Sequence, residues 1–208
     1  MNSFIVKICG ITCEEDARVA VDAGANALGF NFYRNSPRYI EPESAAQIIH
    51  RVPGDYLKVG IFVVERAFSL PRLPSGRPFP LDVLQLYGEI HTPELPRDCR
   101  IWRALPASAA PQKQNDFEAL LLDSSAPGYG GSGQTFDWSL ARALPQRVIV
   151  AGGLDGSNVA EAVRTARPWG VDACSRLEFA PGRKDPRRVR DFVQAALAAL
   201  RVAEGMTL

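Results

Sequence analysis

The chain is short of nearly everything that marks a nucleic-acid binder, a membrane protein or a disulfide scaffold. Its 24 Lys and Arg residues face 23 Asp and Glu, a formal net charge of +1. Charge so nearly balanced gives no electrostatic case for nucleic acid or an anionic membrane as a partner. No apolar run approaches the ~20 residues that span a bilayer. The N-terminus lacks a basic region followed by an apolar run and a small-residue cleavage site, so no secretory signal is visible. Histidine is scarce. His50 sits within a helix pattern and His91 in a polar stretch, and both read as structural or solvated. The cysteines, Cys9, Cys13, Cys99 and Cys174, are scattered and show no C-x-x-C spacing. Neither a disulfide framework nor a zinc site is supported, and a reducing, cytoplasmic setting is the expectation. No internal repeat stands out. A length of 208 residues suits one domain with a substantial core, expected to span 1–208.

What the chain does have is alternation. Strand-like segments are expected at 4–9, 26–32, 57–63, 81–86, 100–103, 119–123, 147–151 and 170–173. Helices are expected at 14–23, capped near Thr12, and at 42–51, with Pro42 in the first turn, where its missing N–H costs nothing. Two later helices are expected at 158–166 and 186–202, the last with Asp185 as N-cap. Strands alternating with helices imply parallel pairing through right-handed crossovers. A closed eight-stranded barrel and an open doubly wound sheet both satisfy this. The strand count and the polar residues at strand C-termini favour a (β/α)8 barrel. The chain is short for that fold. Residues 67–80 contain Pro71, Pro74, Pro78, Pro80 and Gly76, and 91–99 and 106–116 are also poor in helix formers. Proline costs roughly 3 kcal/mol inside a helix. Thin or irregular outer helices are therefore expected between strands three and six.

The candidate chemistry sits at strand ends. Cys9 closes the first strand, with Gly10 after it and Lys7 two residues before it on the same face. A lone cysteine is more often a small buried hydrophobe; at a barrel strand tip it also stands where catalytic groups are found. Lys7 is expected either to help a Cys9 thiolate or, the favoured reading, to be neutralised by a carboxylate inside the barrel. Asp123 ends the apolar run Leu120-Leu121-Leu122, either as a catalytic carboxyl or as a simple turn residue. Gly152 and Gly153 end strand seven ahead of Ser157-Asn158. Strand eight runs through Asp172 into Cys174-Ser175-Arg176. Loops after strands seven and eight of barrels often hold a phosphate. Arg38, in Ser36-Pro37-Arg38, is either a bidentate carboxylate ligand or a solvated surface cation. The Gly-rich run 128–133 fits a mobile lid or an approach to substrate.

Taken together, these motifs resemble the phosphoribosylanthranilate isomerase family of tryptophan biosynthesis. The resemblance runs in order through Lys7-Ile8-Cys9-Gly10, Asp22-Ala23-Gly24-Ala25, Ser36-Pro37-Arg38-Tyr39-Ile40, Val59-Gly60-Ile61-Phe62-Val63 and Gln85-Leu86-Tyr87-Gly88. It continues through Leu121-Leu122-Asp123-Ser124, Gly130-Gly131-Ser132-Gly133, Phe136-Asp137-Trp138 and Ala151-Gly152-Gly153-Leu154. It implies a (β/α)8 barrel that uses no metal and no organic cofactor. It also implies an Amadori rearrangement of N-(5-phosphoribosyl)anthranilate, with Asp123 as general acid and Cys9 as base. Arg38 would hold the anthranilate carboxylate, Gly153 and Ser175 the phosphate, and Asp172 would stand near the reacting sugar. The chain departs from the family pattern at Tyr87, where His is usual. It departs again at Cys174-Ser175-Arg176, where Ser-Ser-Gly is usual. Arg176 is expected to obstruct close phosphate approach, to contact the phosphate, or to point away. The rival expectation is a non-catalytic barrel that binds a phosphorylated metabolite or a protein partner. The partner expected on the main reading is a small phosphosugar, with oligomeric state left open.

Overall fold

The computed structural model describes residues 4–64, 79–88, 100–110, 117–124, 135–203 and 205. Eight parallel strands close into a barrel in chain order. They are β1 (Ile5–Ile8), β2 (Ala27–Asn31), β3 (Leu57–Val64), β4 (Val83–Gly88), β5 (Arg100–Pro106), β6 (Ala119–Asp123), β7 (Val148–Val150) and β8 (Gly170–Ala173). The helices are α1 (Glu14–Ala23), α2 (Pro42–Arg51), α3 (Ser139–Arg142), α4 (Val159–Ala166) and α5 (Pro186–Ala203). Closure by β1 against β8 settles the choice between a barrel and an open sheet. The expected irregular outer segments at 67–78, 91–99 and 111–116, and the Gly-rich run 128–133, lie outside the described residues.

Two-residue periodicity divides every strand into an inner and an outer face. On β1, Val6 and Ile8 face outward into the layer under the helices, and Ile5 and Lys7 face inward, with Cys9 continuing that side. On β6, Leu120 and Leu122 face outward, and Ala119, Leu121 and Asp123 face inward. The outer layer packs against α1, α4 and α5 through residues such as Ala17, Ala20, Val159, Val163, Val189 and Phe192. Inside the barrel, Val59, Val83, Trp102 and Ile149 fill the middle. Trp102 meets Trp169 edge to face at 5.9 Å, towards the N-terminal end. The inward positions at the C-terminal end include Gln85, Tyr87, Asp123 and Asp172, and these build the site.

Several local expectations are corrected. Thr12 does not cap α1. The N-cap is Cys13, without a side-chain bond, and the Thr12 hydroxyl donates to the Gly182 carbonyl instead. The fifth strand runs on to Pro106, because Ala104, Leu105 and Pro106 continue to pair with Leu121, Leu122 and Asp123. A short antiparallel hairpin, β9 (Glu178–Ala180) with β10 (Arg183–Lys184), follows β8 where no element was expected. Pro42 does open α2. Asp185 does cap α5, its Oδ1 accepting from the N–H groups of Arg187 and Arg188 at 2.9 and 3.2 Å.

Gly170 packs closely against Ile5 in the β1–β8 seam. A Cβ there would meet Ile5 Cβ at 2.5 Å and the Ile5 carbonyl oxygen at 2.8 Å. Both atoms belong to a paired strand and have little room to yield. Gly170→Ala is therefore expected to lower stability by about 1–3 kcal/mol. Urea denaturation measures this, and an unchanged midpoint would show that the seam has slack.

Candidate active site

A cavity opens at the C-terminal mouth of the barrel. Cys9, Arg38, Asp123, Gly153, Asp172, Ser175 and Arg176 all line it. Each reaches it for a local reason. Cys9 follows β1 on the inward side, and Asp123 is the last inward residue of β6. Asp172 is inward on β8, directly opposite Lys7. Gly152 and Gly153 turn away from β7 with φ of 80° and 62°, the left-handed region that glycine enters without strain. Gly152 also lets this turn approach the acid, since a Cβ there would stand 2.6 Å from Asp123 Oδ1. Asn158 holds the turn: its Nδ2 donates to the Gly153 carbonyl at 2.8 Å and its Oδ1 accepts from the Asp155 N–H at 2.9 Å. Ser175 and Arg176 come from the 3₁₀ turn Ser175–Leu177 after β8.

Lys7 lies under the cavity floor with no exposure, and its Nζ donates to Asp172 Oδ1 at 2.9 Å. This is the carboxylate partner expected for it. Burial works against the ammonium, but Asp172 and Cys9 outweigh it and hold the Lys7 pKa above its usual range. Three acids share this one cation. Burial pushes Asp172 up to about 7 against the pull of Lys7. Burial likewise raises Asp123, partly offset by the Ser124 N–H, which donates to its Oδ1 at 2.8 Å. The Cys9 thiol is raised well above its usual range, first by a hydrogen bond with Cys174 and then by burial, while Lys7 pulls it down. The same bond, with help from Lys184 and Arg38, lowers Cys174 to about 7. Of the two thiols Cys174 therefore ionises first, and Cys9 keeps its proton to higher pH.

Arg38 is neither a solvated cation nor an unattached ligand. Its Nε and Nη2 clasp Glu178 at 2.7–3.1 Å, and Lys184 Nζ reaches the same carboxylate at 2.8 Å. Burial opposes the Glu178 charge, but these two cations hold its carboxyl below the ordinary range. Nη1 of Arg38 takes no part in the clasp. Arg176 Nη1 pairs with Asp155 Oδ2 at 2.8 Å, half-exposed at the rim. Sequence reasoning missed Glu178, Lys184 and Cys174. Glu178 stands 140 positions from Arg38, on a hairpin too short to show periodicity. Tyr87 faces inward from β4, its phenol oxygen accepting from Gln85 Nε2 at 3.3 Å. Burial raises its pKa well above the usual value, so it stays a neutral phenol. Among the described residues no group of three His, Cys, Asp or Glu side chains could hold a metal ion, and no helix is long and apolar enough to cross a membrane.

A family model described as N-(5'phosphoribosyl)anthranilate (PRA) isomerase matches residues 6–195. An N-(5'-phosphoribosyl)anthranilate isomerase from Solibacter usitatus is 48% identical over 202 residues, 95% of this chain and 99% of the relative. One from Trichlorobacter lovleyi is 43% identical over 205 residues, 94% of this chain and 98% of the relative. The crystal structure of phosphoribosyl anthranilate isomerase from Thermotoga maritima superposes with a TM-score of 0.77 at 34% identity, covering 94% of this chain and 99% of that one. A structure of such an isomerase in complex with reduced 1-(o-carboxyphenylamino)-1-deoxyribulose 5-phosphate superposes with a TM-score of 0.73 at 31% identity, covering 94% and 99%.

The raised carboxyl of Asp172 has a consequence for stability. The folded state holds this proton more tightly than the unfolded chain does. Stability from this group is complete below the ordinary carboxyl pKa and is lost as pH rises through about 7. Asp123 acts in the same direction. Urea midpoints are therefore expected to fall between about pH 5 and pH 7, and Asp172→Asn is expected to flatten that fall. A wild-type midpoint that rises across the window would contradict the direction.

Proposed function

This chain belongs to the N-(5'-phosphoribosyl)anthranilate isomerase family and is an enzyme of tryptophan biosynthesis; from that premise we propose which residues carry its chemistry. The substrate is N-(5-phosphoribosyl)anthranilate and the product 1-(2-carboxyphenylamino)-1-deoxyribulose 5-phosphate. The observation that carries the proposal is the pairing of two different acids in one cavity. Burial moves the Asp123 carboxyl up from its ordinary value, the direction a proton donor needs. Cys9 faces it from β1, and of the charges around its thiol Lys7 is the one that favours the thiolate.

Asp123 protonates the ring oxygen of the sugar, and the bond from that oxygen to C1 breaks as the aniline nitrogen forms a C=N bond. Cys9, as thiolate, takes the C2 proton, and the released electron pair moves to neutralise the iminium. This leaves an enol amine. Return to a ketone requires one proton added at C1 and one taken from the C2 hydroxyl. The thiol and the carboxylate left by the first half are in the protonation states for those two transfers. Lys7 supports the thiolate electrostatically. The phosphate sits between the turns at Gly153 and Ser175, where backbone N–H groups and small residues allow close approach. Arg38 takes the anthranilate carboxylate through the edge not clasped by Glu178. Asp172 stands near the sugar hydroxyls. Arg176, anchored by Asp155, adds positive charge at the phosphate rim. The phosphosugar is a cytoplasmic metabolite on this reading. Nothing in the site favours the non-catalytic alternative, since acid, base and anion-holding cations line one cavity.

Cys9→Ser and Asp123→Asn are each expected to retain the fold and lose roughly 10²–10⁴-fold in kcat, the usual contribution of a positioned acid or base. The assay follows loss of substrate fluorescence in a single turnover with purified protein. A wild-type rate in either variant removes that residue from the mechanism. Arg176→Gly is expected to raise KM several-fold with kcat unchanged, a modest effect because solvent screens a half-exposed charge. A lower KM would mean that the side chain obstructs the site.

A further inference from the structure

Cys174 has no part in the proton transfers, yet it stands beside Cys9. β1 and β8 pair with Ile5 opposite Gly170 and Lys7 opposite Asp172. Two places further along that register, Cys9 comes opposite Cys174, both on the face that looks into the cavity. The Cys9 N–H donates to the Ala173 carbonyl at 2.9 Å and fixes this height. Cys174 Sγ packs against the residue after Cys9, since a Cβ on Gly10 would stand 2.9 Å from it. Lys184 Nζ lies 3.6 Å from Cys174 Sγ. A cation so close favours the thiolate, the form that reacts with oxidants. Both thiols are free and partly exposed.

We propose that Cys9 and Cys174 form a dithiol oxidation site, which a peroxide converts into an intramolecular disulfide at the barrel mouth. The Cys174 thiolate attacks a peroxide oxygen, the O–O bond breaks, and the leaving hydroxide takes a proton to become water. Cys174 is then a sulfenic acid. The Cys9 sulfur attacks it, the S–S bond forms, the S–O bond breaks, and a second water leaves with the Cys9 proton. Two thiols and one hydrogen peroxide give one disulfide and two waters. Neighbouring strands lie about 4.8 Å apart, within the Cα separation of about 4.4–6.8 Å that a disulfide spans. Both residues lie just past the ends of their strands, so little of the ladder resists closure. The disulfide occupies the Cys9 sulfur and stops catalysis until a thiol reductant reopens it. That loss of activity rests on Cys9 as the base; the cross-link itself does not.

The test treats the purified whole chain with a small molar excess of hydrogen peroxide, blocks remaining thiols, and digests without reductant. Peptide mass mapping is expected to show the Cys9 peptide joined to the Cys174 peptide with loss of two hydrogens. Activity measured on the same samples is expected to fall in proportion to the joined fraction and to return with dithiothreitol. A link through Cys13 or Cys99 instead, or oxidation of Cys9 and Cys174 without a link, overturns the oxidation site. A Cys9–Cys174 link with full activity leaves the site standing and overturns Cys9 as the base.

Discussion

A single buried cation governs the interior of this barrel. Lys7 has no exposure, and burial alone works against its ammonium. Asp172 meets it across the seam where the barrel closes, so the ion pair joins the first strand to the last. The same ammonium sets the electrostatics of the cavity above it. It lowers Asp172, Asp123 and Cys9, while burial raises all three. One positive charge cannot hold three anions in a dry site. Protons therefore stay on some of these groups near neutrality, which is what an enzyme needs if it is both to give and to take a proton at one substrate.

The rest of the site follows from strand alternation and from a second charge cluster. Inward positions at the C-terminal ends of β1, β6 and β8 supply the groups that face a ligand, while their outward neighbours are apolar and anchor the helices. The β9–β10 hairpin brings Glu178 and Lys184 to Arg38. Asp16 on α1 accepts from the Lys184 N–H at 2.9 Å and ties that hairpin back to the barrel wall. Arg38 is held at one edge before any ligand arrives, which lowers the entropy lost on binding a carboxylate. The glycine turn after β7 brings its backbone against Asp123, where a side chain would collide with the acid.

Much of this was legible in the chain. Apolar strands that end in Cys9 and Asp123, Pro42 at a helix start and Asp185 as a cap are local signals, and local physics carries them. The same-face spacing of Lys7 and Cys9 foretold a buried cation that needs a carboxylate. The closure of β1 on β8 was a topological inference, and it places Asp172 as that partner. Other features depend on distant register and leave no local trace. Nothing near Arg38 signals Glu178, and nothing near Cys9 signals Cys174 until the barrel closes. Thr12 has the chemistry of a cap, yet tertiary contact with Gly182 claims its hydroxyl.

The division of labour between Asp123 and Cys9 rests on Asp123 carrying a proton when substrate arrives. Carbon NMR of the aspartate carboxyls, with the Asp123 signal assigned by its absence from the Asp123→Asn spectrum, reads that state directly. A titration midpoint above the ordinary aspartate range is expected, from burial that Ser124 and Lys7 only partly offset. A midpoint at or below that range would mean an ionised carboxylate at neutral pH, and would contradict Asp123 as the proton donor.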